Sequence, residues 1–415
     1  MKILIVTQYY PPELALIPSV LAERLADLGH SVKVLTGFPN YPEGKLYAGY
    51  KQSWRHQETY GRITIKRVPM FIDHSQNPLA RIASYVSFAI GTILASSFAR
   101  GTDVVYVYAT QMTAAAAPHI WRRTYGIPYV LHVQDLWPES ITDSSLVRTG
   151  MTKKLVVGLL TPWLSAVYRR SSAVIAIAPT MRRMLLQRQV PNEKLHTVLN
   201  WADDVPTVTV PGRTPKETRG VRIVYAGNLG DMQDLETVLE AARLVQDLAD
   251  FRIVFVGTGV AEKRLKQIAR DNGLENVEFY GRVEPNHMDS IYAESDFQLV
   301  TLKDSPIFRG TIPSKLQGSL AHGVPVITTV AGDVTAIVHE EGVGLTAPPE
   351  NATALAAVFR EAHSMSNDAR ERLGKRGRDL YLRSMSAHAG VVAIEAILIA
   401  AVNESNDRGS NRDVA

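Results

Sequence analysis

The sequence predicts an α/β protein built from two doubly wound parallel sheets. Three observations lead there. Short apolar runs alternate with amphipathic segments along nearly the whole chain, as expected of parallel strands covered by helices on both faces. The alternation opens twice, on Ile-Leu-Ile-Val at residues 3–6 and on Val-Arg-Ile-Val-Tyr at 221–225. Finally, 415 residues exceed what one hydrophobic core commonly organises.

In the first half, strands are expected at residues 3–6, 31–35, 63–68, 104–108, 129–133 and 173–177. Helices are expected at 19–28, 79–98, 113–125, 155–170 and 181–187. In the second half, strands recur at 221–225, 253–256, 277–280, 297–301 and 326–329. Residues 206–220, rich in Pro, Thr and Gly, form the expected linker between a first domain (1–205) and a second (221–402). The polar tail 403–415 is expected to be disordered. Ligands of such sheets bind beyond the carboxyl ends of the strands, so the cleft between two such domains is the expected site.

The chain is 46% hydrophobic and 21% charged, which is the composition of a soluble globular protein. It has no cysteine, so disulfides, thiolate metal sites and a cysteine nucleophile are excluded, and a reducing compartment fits. The opening apolar run ends in Thr7 and Gln8 and reads as a first strand, not a signal peptide. Residues 1–200 carry 22 Lys and Arg against 11 Asp and Glu, a net +11, while residues 201–415 carry 23 against 30, a net −7. A basic half faces something anionic. No aromatic-basic interleaving points to nucleic acid, so an anionic membrane surface is the expected partner. Two segments are candidates to touch it. Residues 82–98 lack charge between Arg81 and Arg100 but contain four serines, and read as a helix packed on the sheet. Residues 153–170, bracketed by Lys153, Lys154, Arg169 and Arg170 and containing Trp163, read as an interfacial helix.

The stretch Arg309-Gly310-Thr311-Ile312-Pro313-Ser314-Lys315 carries the clearest chemistry. Proline at a first helical position, with Ser314 and Lys315 in the first turn, predicts a helix start. Its unpaired N–H groups and partial positive charge attract phosphate. Lys315, with Arg309 just upstream, makes this a candidate diphosphate cradle; the alternative is an ordinary first-turn lysine.

Six motifs occur in order: Gln8-Tyr-Tyr-Pro-Pro-Glu13, Gly37-Phe-Pro-Asn-Tyr-Pro-Glu-Gly44, His132-Val-Gln-Asp-Leu-Trp-Pro-Glu-Ser140, Tyr225-Ala-Gly-Asn-Leu-Gly230, Phe279-Tyr-Gly-Arg-Val283 and Thr311-Ile-Pro-Ser-Lys315. Together they resemble the retaining glycosyltransferases of family four, with the two-domain GT-B fold. The likeness is greatest to bacterial members that build O-antigen and capsule, such as N-acetyl-L-fucosamine transferases. The resemblance implies a metal-independent hexosyl or N-acetylhexosaminyl transferase. Its nucleotide-sugar donor, UDP-linked by family frequency, would be held by the second domain through Gly227, Asn228, Gly281, Arg282, Arg309, Gly310, Pro313, Ser314 and Lys315. The absence of an Asp-x-Asp pair agrees with metal independence. A polyprenyl-linked or glycan acceptor would meet the first domain at Glu13, Asn40 and Tyr41, whose alternative is turn chemistry. His132 and Asp135 are the expected catalytic residues, the alternatives being a core histidine and a helix cap. Cytoplasmic action, peripheral at the inner face of the cell membrane, follows from the same likeness.

Departures from the family matter too. Leu14-Ala-Leu-Ile-Pro18 stands where the family has a glycine-rich loop, and Gln134 stands where many members have His. The family's paired glutamates fall on Gly310 and Gly318, and its Arg and Lys near the start of the second domain fall on Asn228 and Gln233. A missing hydrogen bond costs about 1–3 kcal/mol, which lowers rate or affinity without abolishing chemistry. A working transferase is therefore the first expectation. A catalytically silent scaffold or regulator is the second, and a sugar-nucleotide epimerase the third.

Overall fold

The computed structural model describes residues 1–73, 78–137, 150–201, 220–284, 287–306 and 308–410. The chain divides into two compact units, one of residues 1–200 with 390–415 and one of residues 201–389. In the first unit the strands are β1 (Lys2–Thr7), β2 (Ser31–Gly37), β3 (Gln57–Tyr60), β4 (Ile63–Val68), β5 (Val104–Ala109), β6 (Tyr129–Val133), β7 (Ala173–Ala176) and β8 (Leu195–Thr197). They form one sheet in the order β3-β4-β2-β1-β5-β6-β7-β8. All neighbours are parallel except the edge pair β3–β4. Consecutive residues Ile3 to Val6 and Val104 to Val107 are at most 1% exposed. Both faces of these strands are therefore covered, which only a doubly wound sheet provides.

The second unit holds β9 (Val221–Ala226), β10 (Phe251–Val256), β11 (Val277–Gly281), β12 (Phe297–Val300), β13 (Val326–Thr328) and β14 (Gly344–Thr346), parallel and ordered β11-β10-β9-β12-β13-β14. Alternation along the strands separates two buried faces. Ile223, Tyr225, Phe251, Ile253 and Phe255 join the larger core. Val224, Ala226, Val254 and Val256 form the smaller one on the other side.

The expected strands are all present, with ends shifted by one or two residues. Three short strands were not expected. Gln57–Tyr60 is polar and mostly exposed, and Leu195–Thr197 and Gly344–Thr346 have three residues each; all lie at sheet edges, where burial writes no apolar run. The tail is also corrected. The last helix runs Ala387–Ser410, so residues 403–410 are helical. Beyond residue 389 it belongs to the first unit, where Glu395 pairs with His30 at 2.8 Å. An apolar helical stripe is the same whichever domain it covers, so periodicity alone cannot assign it. Most of this helix lies in the stretch Asn367–Asp407, which among the described residues is the one long and apolar enough to cross a membrane, and half of that stretch's apolar window is buried in the protein. The expected linker, apart from Gly220, lies outside the described residues.

A buried arginine ties the first sheet to its carboxyl-edge loops. The Arg67 side chain is fully buried. It donates to Pro11 O at 2.5 Å, Gly37 O at 3.0 Å and Glu58 Oε1 at 2.7 Å. Arg67→Met should leave two carbonyls and a carboxylate uncompensated and destabilise the protein by about 3–5 kcal/mol in urea unfolding. A loss below 1 kcal/mol would mean that the loops are held by other contacts.

Candidate functional site

In the second unit the site grows from the turn after β9. Gly227 has φ 147°, and a Cβ there would lie 2.4 Å from Lys315 Cε; Gly257, at φ 137° after β10, would place one 1.9 Å from Gly227 O. Glycine is needed at both, because backbone and the lysine stem fill the space. Lys315 is the second residue of the helix Ser314–Ala321. Pro313, expected as the first helical residue, is the N-cap instead, with φ −65° and ψ 142°.

Lys315 Nζ donates to Tyr225 Oη at 2.6 Å and to Gln233 Oε1 at 3.1 Å, and stands 4.1 Å from the Tyr225 ring centre. These partners are neutral. Burial with no acid beside it lowers the lysine pKa to about 8. A shift of that size corresponds to roughly 3 kcal/mol against the charged form. The helix start adds backbone N–H groups and the positive end of its dipole. Together they make an under-compensated cationic spot, which an arriving anion stabilises.

The other expected donor residues are less uniform. Arg309, in the turn Phe308–Gly310, is held by Asp304 through contacts of 3.1–3.2 Å. That hydrogen-bonded pair raises its pKa, so of the two cations expected in the cradle Arg309 is already paired with an acid and Lys315 is not. Gly310 and Ser314 lie near the same helix start, Ser314 exposed. Asn228 O accepts from Tyr225 Oη at 2.7 Å, so Asn228 braces the tyrosine that Lys315 touches. Gly281 ends β11 and accepts from Gly257 N at 2.6 Å; exposed Arg282 follows it, two strands away from β9. Gly318 does not open onto free space. A Cβ there would lie 2.6 Å from the Tyr292 hydroxyl. The Tyr292 ring is stacked on His322 at 4.1 Å, and His322 is anchored to Asp289 at 3.0 Å.

In the first unit a cavity of about 630 Å³ lies at the carboxyl edge of the sheet, lined by Tyr9, Tyr41, Arg81, Tyr85, Tyr108, Gln111 and Asp135 among others. Asp135 is water-accessible yet flanked by protein. Burial raises its pKa, and Arg81 partly reverses this. Tyr41 lines the cavity, 5.3 Å from Tyr9. Glu13 and Asn40 do not, which corrects their expected role. The 3%-exposed Glu13 accepts from Asn40 N at 2.7 Å, Tyr41 N at 2.8 Å and Tyr10 N at 3.3 Å, and Asn40 Nδ2 donates to Phe38 O at 2.7 Å. They fix the loop that presents Tyr41. His132 is fully buried. Its Nδ1 is 2.5 Å from Tyr106 Oη, and burial lowers its pKa to about 3, so it is neutral at physiological pH. Its Nε2 is buried with no hydrogen bond, and the ring is not part of the cavity lining.

Sequence reasoning missed Tyr85, Tyr108, Gln111 and Arg81. Gln8, Gln111 and Gln134 follow the ends of β1, β5 and β6, and each keeps a buried amide atom without a partner. A glutamine within two residues of the end of each of these apolar runs was the available signal. Among the described residues, no cluster of three His, Asp or Glu side chains could hold a metal ion.

The side chains of Lys153, Lys154, Leu155, Val156 and Leu159 lie outside the described residues. Leu160 and Trp163 are partly buried, and Leu164, Val167 and Tyr168 are buried, so the interfacial reading of this helix has no exposed apolar face among them. The helix Pro78–Leu94, expected to pack on the sheet, exposes Ile82, Val86, Ile90 and Leu94 at 39–65%. Their spacing of four residues makes one outward stripe.

Two family models match the chain: "Glycosyl transferase 4-like domain" over residues 19–201 and "Glycosyl transferases group 1" over residues 210–380. Over 378 residues the chain is 27% identical to a protein of Escherichia coli K12 described as a colanic acid biosynthesis glycosyl transferase, WcaI, covering 87% of this chain and 92% of that one. It is 26% identical over 281 residues to WbjE of Pseudomonas aeruginosa, described as a glycosyltransferase, covering 64% and 67%. Among solved structures, Anabaena Alr3699/HepE in complex with UDP superposes with a TM-score of 0.67 at 16% identity, covering 96% and 99% of the two chains.

Two outcomes test the second-unit geometry. Lys315→Met should stabilise the protein by about 1–3 kcal/mol at pH 7, because it removes the penalised charge. The folded pKa lies below the unfolded one, so the unfolded chain binds more protons between about pH 8 and 10 and wild-type stability rises with pH there. The advantage of the variant should therefore shrink by pH 10, and urea unfolding at both pH values reads it; a variant less stable at pH 7 contradicts the burial argument. Gly318→Ala should destabilise the wild type by about 1–3 kcal/mol through overpacking but be neutral or stabilising in a Tyr292→Phe background, where helix propensity alone remains. Equal effects in both backgrounds would mean that the Tyr292 hydroxyl is not the obstacle.

Proposed function

We propose that the chain, whose halves match two glycosyltransferase family models and which has the GT-B fold, is a glycosyltransferase of family four that moves a sugar, with retention, from a nucleotide-diphosphate donor onto a lipid-linked or glycan acceptor. The observation that carries this reading is the partly buried ammonium of Lys315 at a helix start with only neutral partners. Breaking a glycosyl–phosphate bond places negative charge on the departing diphosphate, and a preorganised cation with N–H dipoles stabilises that charge as it develops. Lys315 and the helix start supply this without a metal. UDP is the proposed carrier, supported by the UDP complex of the Anabaena protein. Its sugar is a hexose or N-acetylhexosamine on the family likeness.

The acceptor is proposed to enter the first-unit cavity, where Tyr9, Tyr41 and Tyr85 offer faces to a sugar ring and Asp135 accepts a hydrogen bond from the attacking hydroxyl. The unpartnered amide atoms at this sheet edge, Gln8 Oε1 as an acceptor and Gln111 Nε2 and Gln134 Nε2 as donors, add hydrogen-bonding capacity there. Synthesis of a cell-surface polysaccharide of the colanic acid, O-antigen or capsule kind is supported by what WcaI is described to do. A polyprenyl-linked acceptor would bring the protein to the cytoplasmic face of the membrane, where the stripe of Ile82, Val86, Ile90 and Leu94 supplies apolar contact and the +11 charge of residues 1–200 favours anionic lipid. Gly318 favours a second reading, a silent homologue with a scaffolding role, because the tyrosine hydroxyl takes the place of a donor-binding side chain.

Release of UDP from UDP-sugars in the presence of a polyprenyl-diphosphate-linked sugar separates the two. Turnover is expected, and Asp135→Asn should lower it about 10²-fold while leaving UDP affinity unchanged. UDP binding without acceptor-dependent release from any UDP-sugar would favour the silent homologue. Loss of UDP affinity in Asp135→Asn would contradict its assignment to the acceptor side.

A further inference from the structure

A second cavity, of about 250 Å³, lies in the first unit, away from everything described above. Arg122 and Arg123 end the helix before β6, Arg169 and Arg170 end the helix before β7, and Lys194 ends the turn before β8. In a parallel sheet all five therefore stand at the amino edge, whereas Tyr108 is the penultimate residue of β5 and Gln111 and Asp135 follow the ends of β5 and β6, at the carboxyl edge. With a rise of about 3.3 Å per residue, a five-residue strand sets the two edges roughly 15–20 Å apart. Five cations line the cavity against one carboxylate, Glu404.

Helix carboxyl ends attract cations for structural reasons, and that role accounts for part of the cluster. Lys194 Nζ donates to Arg169 O at 2.8 Å and Ser171 O at 3.0 Å. Arg122 donates to Gly126 O at 2.9 Å and Ser405 Oγ at 3.1 Å. It does not account for the side chains of Arg123 and Arg169, which, among the described residues, make no hydrogen bond or ion pair. Arg170 Nη1 is 3.0 Å from His119 Nε2. The other ring nitrogen faces the Tyr129 hydroxyl at 3.4 Å, and that hydroxyl donates to Val167 O at 2.5 Å. The ring therefore accepts from Arg170 as a neutral imidazole, kept so by burial and by the charges of Arg170 and Arg123. The neighbour beneath the arginines adds no negative charge to cancel them.

We propose that this amino-edge cavity is a binding site for a phosphoryl group, with Arg123, Arg169 and Arg170 as its principal ligands. Guanidinium groups pair with phosphate oxygens in bidentate fashion, and the volume lies below the range typical of whole drug-sized ligands, which suits a phosphate or pyrophosphate moiety. The ligand is either a soluble phosphate ester or the headgroup of an anionic phospholipid. The site stands independently of the transfer reaction proposed above.

The test uses the full chain carrying Lys315→Met, so that the second-unit cation does not contribute. Inorganic pyrophosphate is titrated by calorimetry, and sedimentation is measured with vesicles of phosphatidylglycerol and phosphatidylcholine and with phosphatidylcholine alone. Adding Arg123→Ala and Arg169→Ala, both exposed positions, should weaken at least one of these anionic ligands tenfold or more. A loss confined to pyrophosphate identifies a soluble ligand, and a loss on the phosphatidylglycerol vesicles identifies a lipid headgroup. Unchanged binding of both probes overturns the site. A second readout needs no arginine variant: pyrophosphate should raise the NMR-measured pKa of His119 by offsetting the field of Arg170 and Arg123, and an unmoved His119 at saturating pyrophosphate contradicts the proposal.

Discussion

A partly buried lysine ammonium with no acid beside it is the constraint on which the second domain's site depends. The cost of that placement is met by the surrounding fold, which gives Lys315 no freedom to leave. Gly227 lets its stem lie against the β9 turn, Tyr225 and Gln233 hold its head, and Pro313 starts the helix that carries it. Strain of this kind concentrates where a ligand relieves it. The neutral partners matter as much as the cation. An aspartate in place of Gln233 would stabilise the protein and compete with a diphosphate for the same charge. Arg309 illustrates the contrast, since Asp304 already occupies it.

The first domain separates two chemistries across one sheet. Its carboxyl edge carries tyrosines, open amides and a carboxylate whose pKa burial raises. Its amino edge carries arginines. Parallel strands enforce this separation, because every strand-to-helix loop falls on one edge and every helix-to-strand loop on the other. The basic excess of residues 1–200 is thus partly gathered at helix carboxyl ends, on the edge opposite the proposed acceptor cavity. Glu13 and Arg67 bind backbone rather than ligand, yet the carboxyl edge relies on them. Each draws together the loops after β1 and β2.

The strands of both sheets were legible because buried parallel strands are written as continuous apolar runs; the short edge strands were not, because edges bury little. Lys315 was legible as well, since a proline, a serine and a lysine at a helix start are a local pattern. What escaped was long-range partnership. Nothing near Gly318 in sequence announces the Tyr292 hydroxyl, and nothing near Glu13 announces the amides of Asn40 and Tyr41. The cavity residues Tyr85, Tyr108 and Gln111 belong to the same class, joined by topology and separated in sequence. His132 was legible as a residue of interest, and its depth was not.

The most direct measurement is calorimetric titration of UDP near pH 8 in two buffers of different ionisation enthalpy, which counts protons taken up on binding. The terminal phosphate is already ionised at this pH, and Lys315 is close to half-protonated. A diphosphate seated on Lys315 must raise its pKa, so wild-type protein should take up a fraction of a proton and Lys315→Met should take up none and bind UDP about tenfold or more weakly. Equal affinity and equal proton uptake in the two proteins would contradict the account, because the partly buried cation would then hold the fold and not the donor.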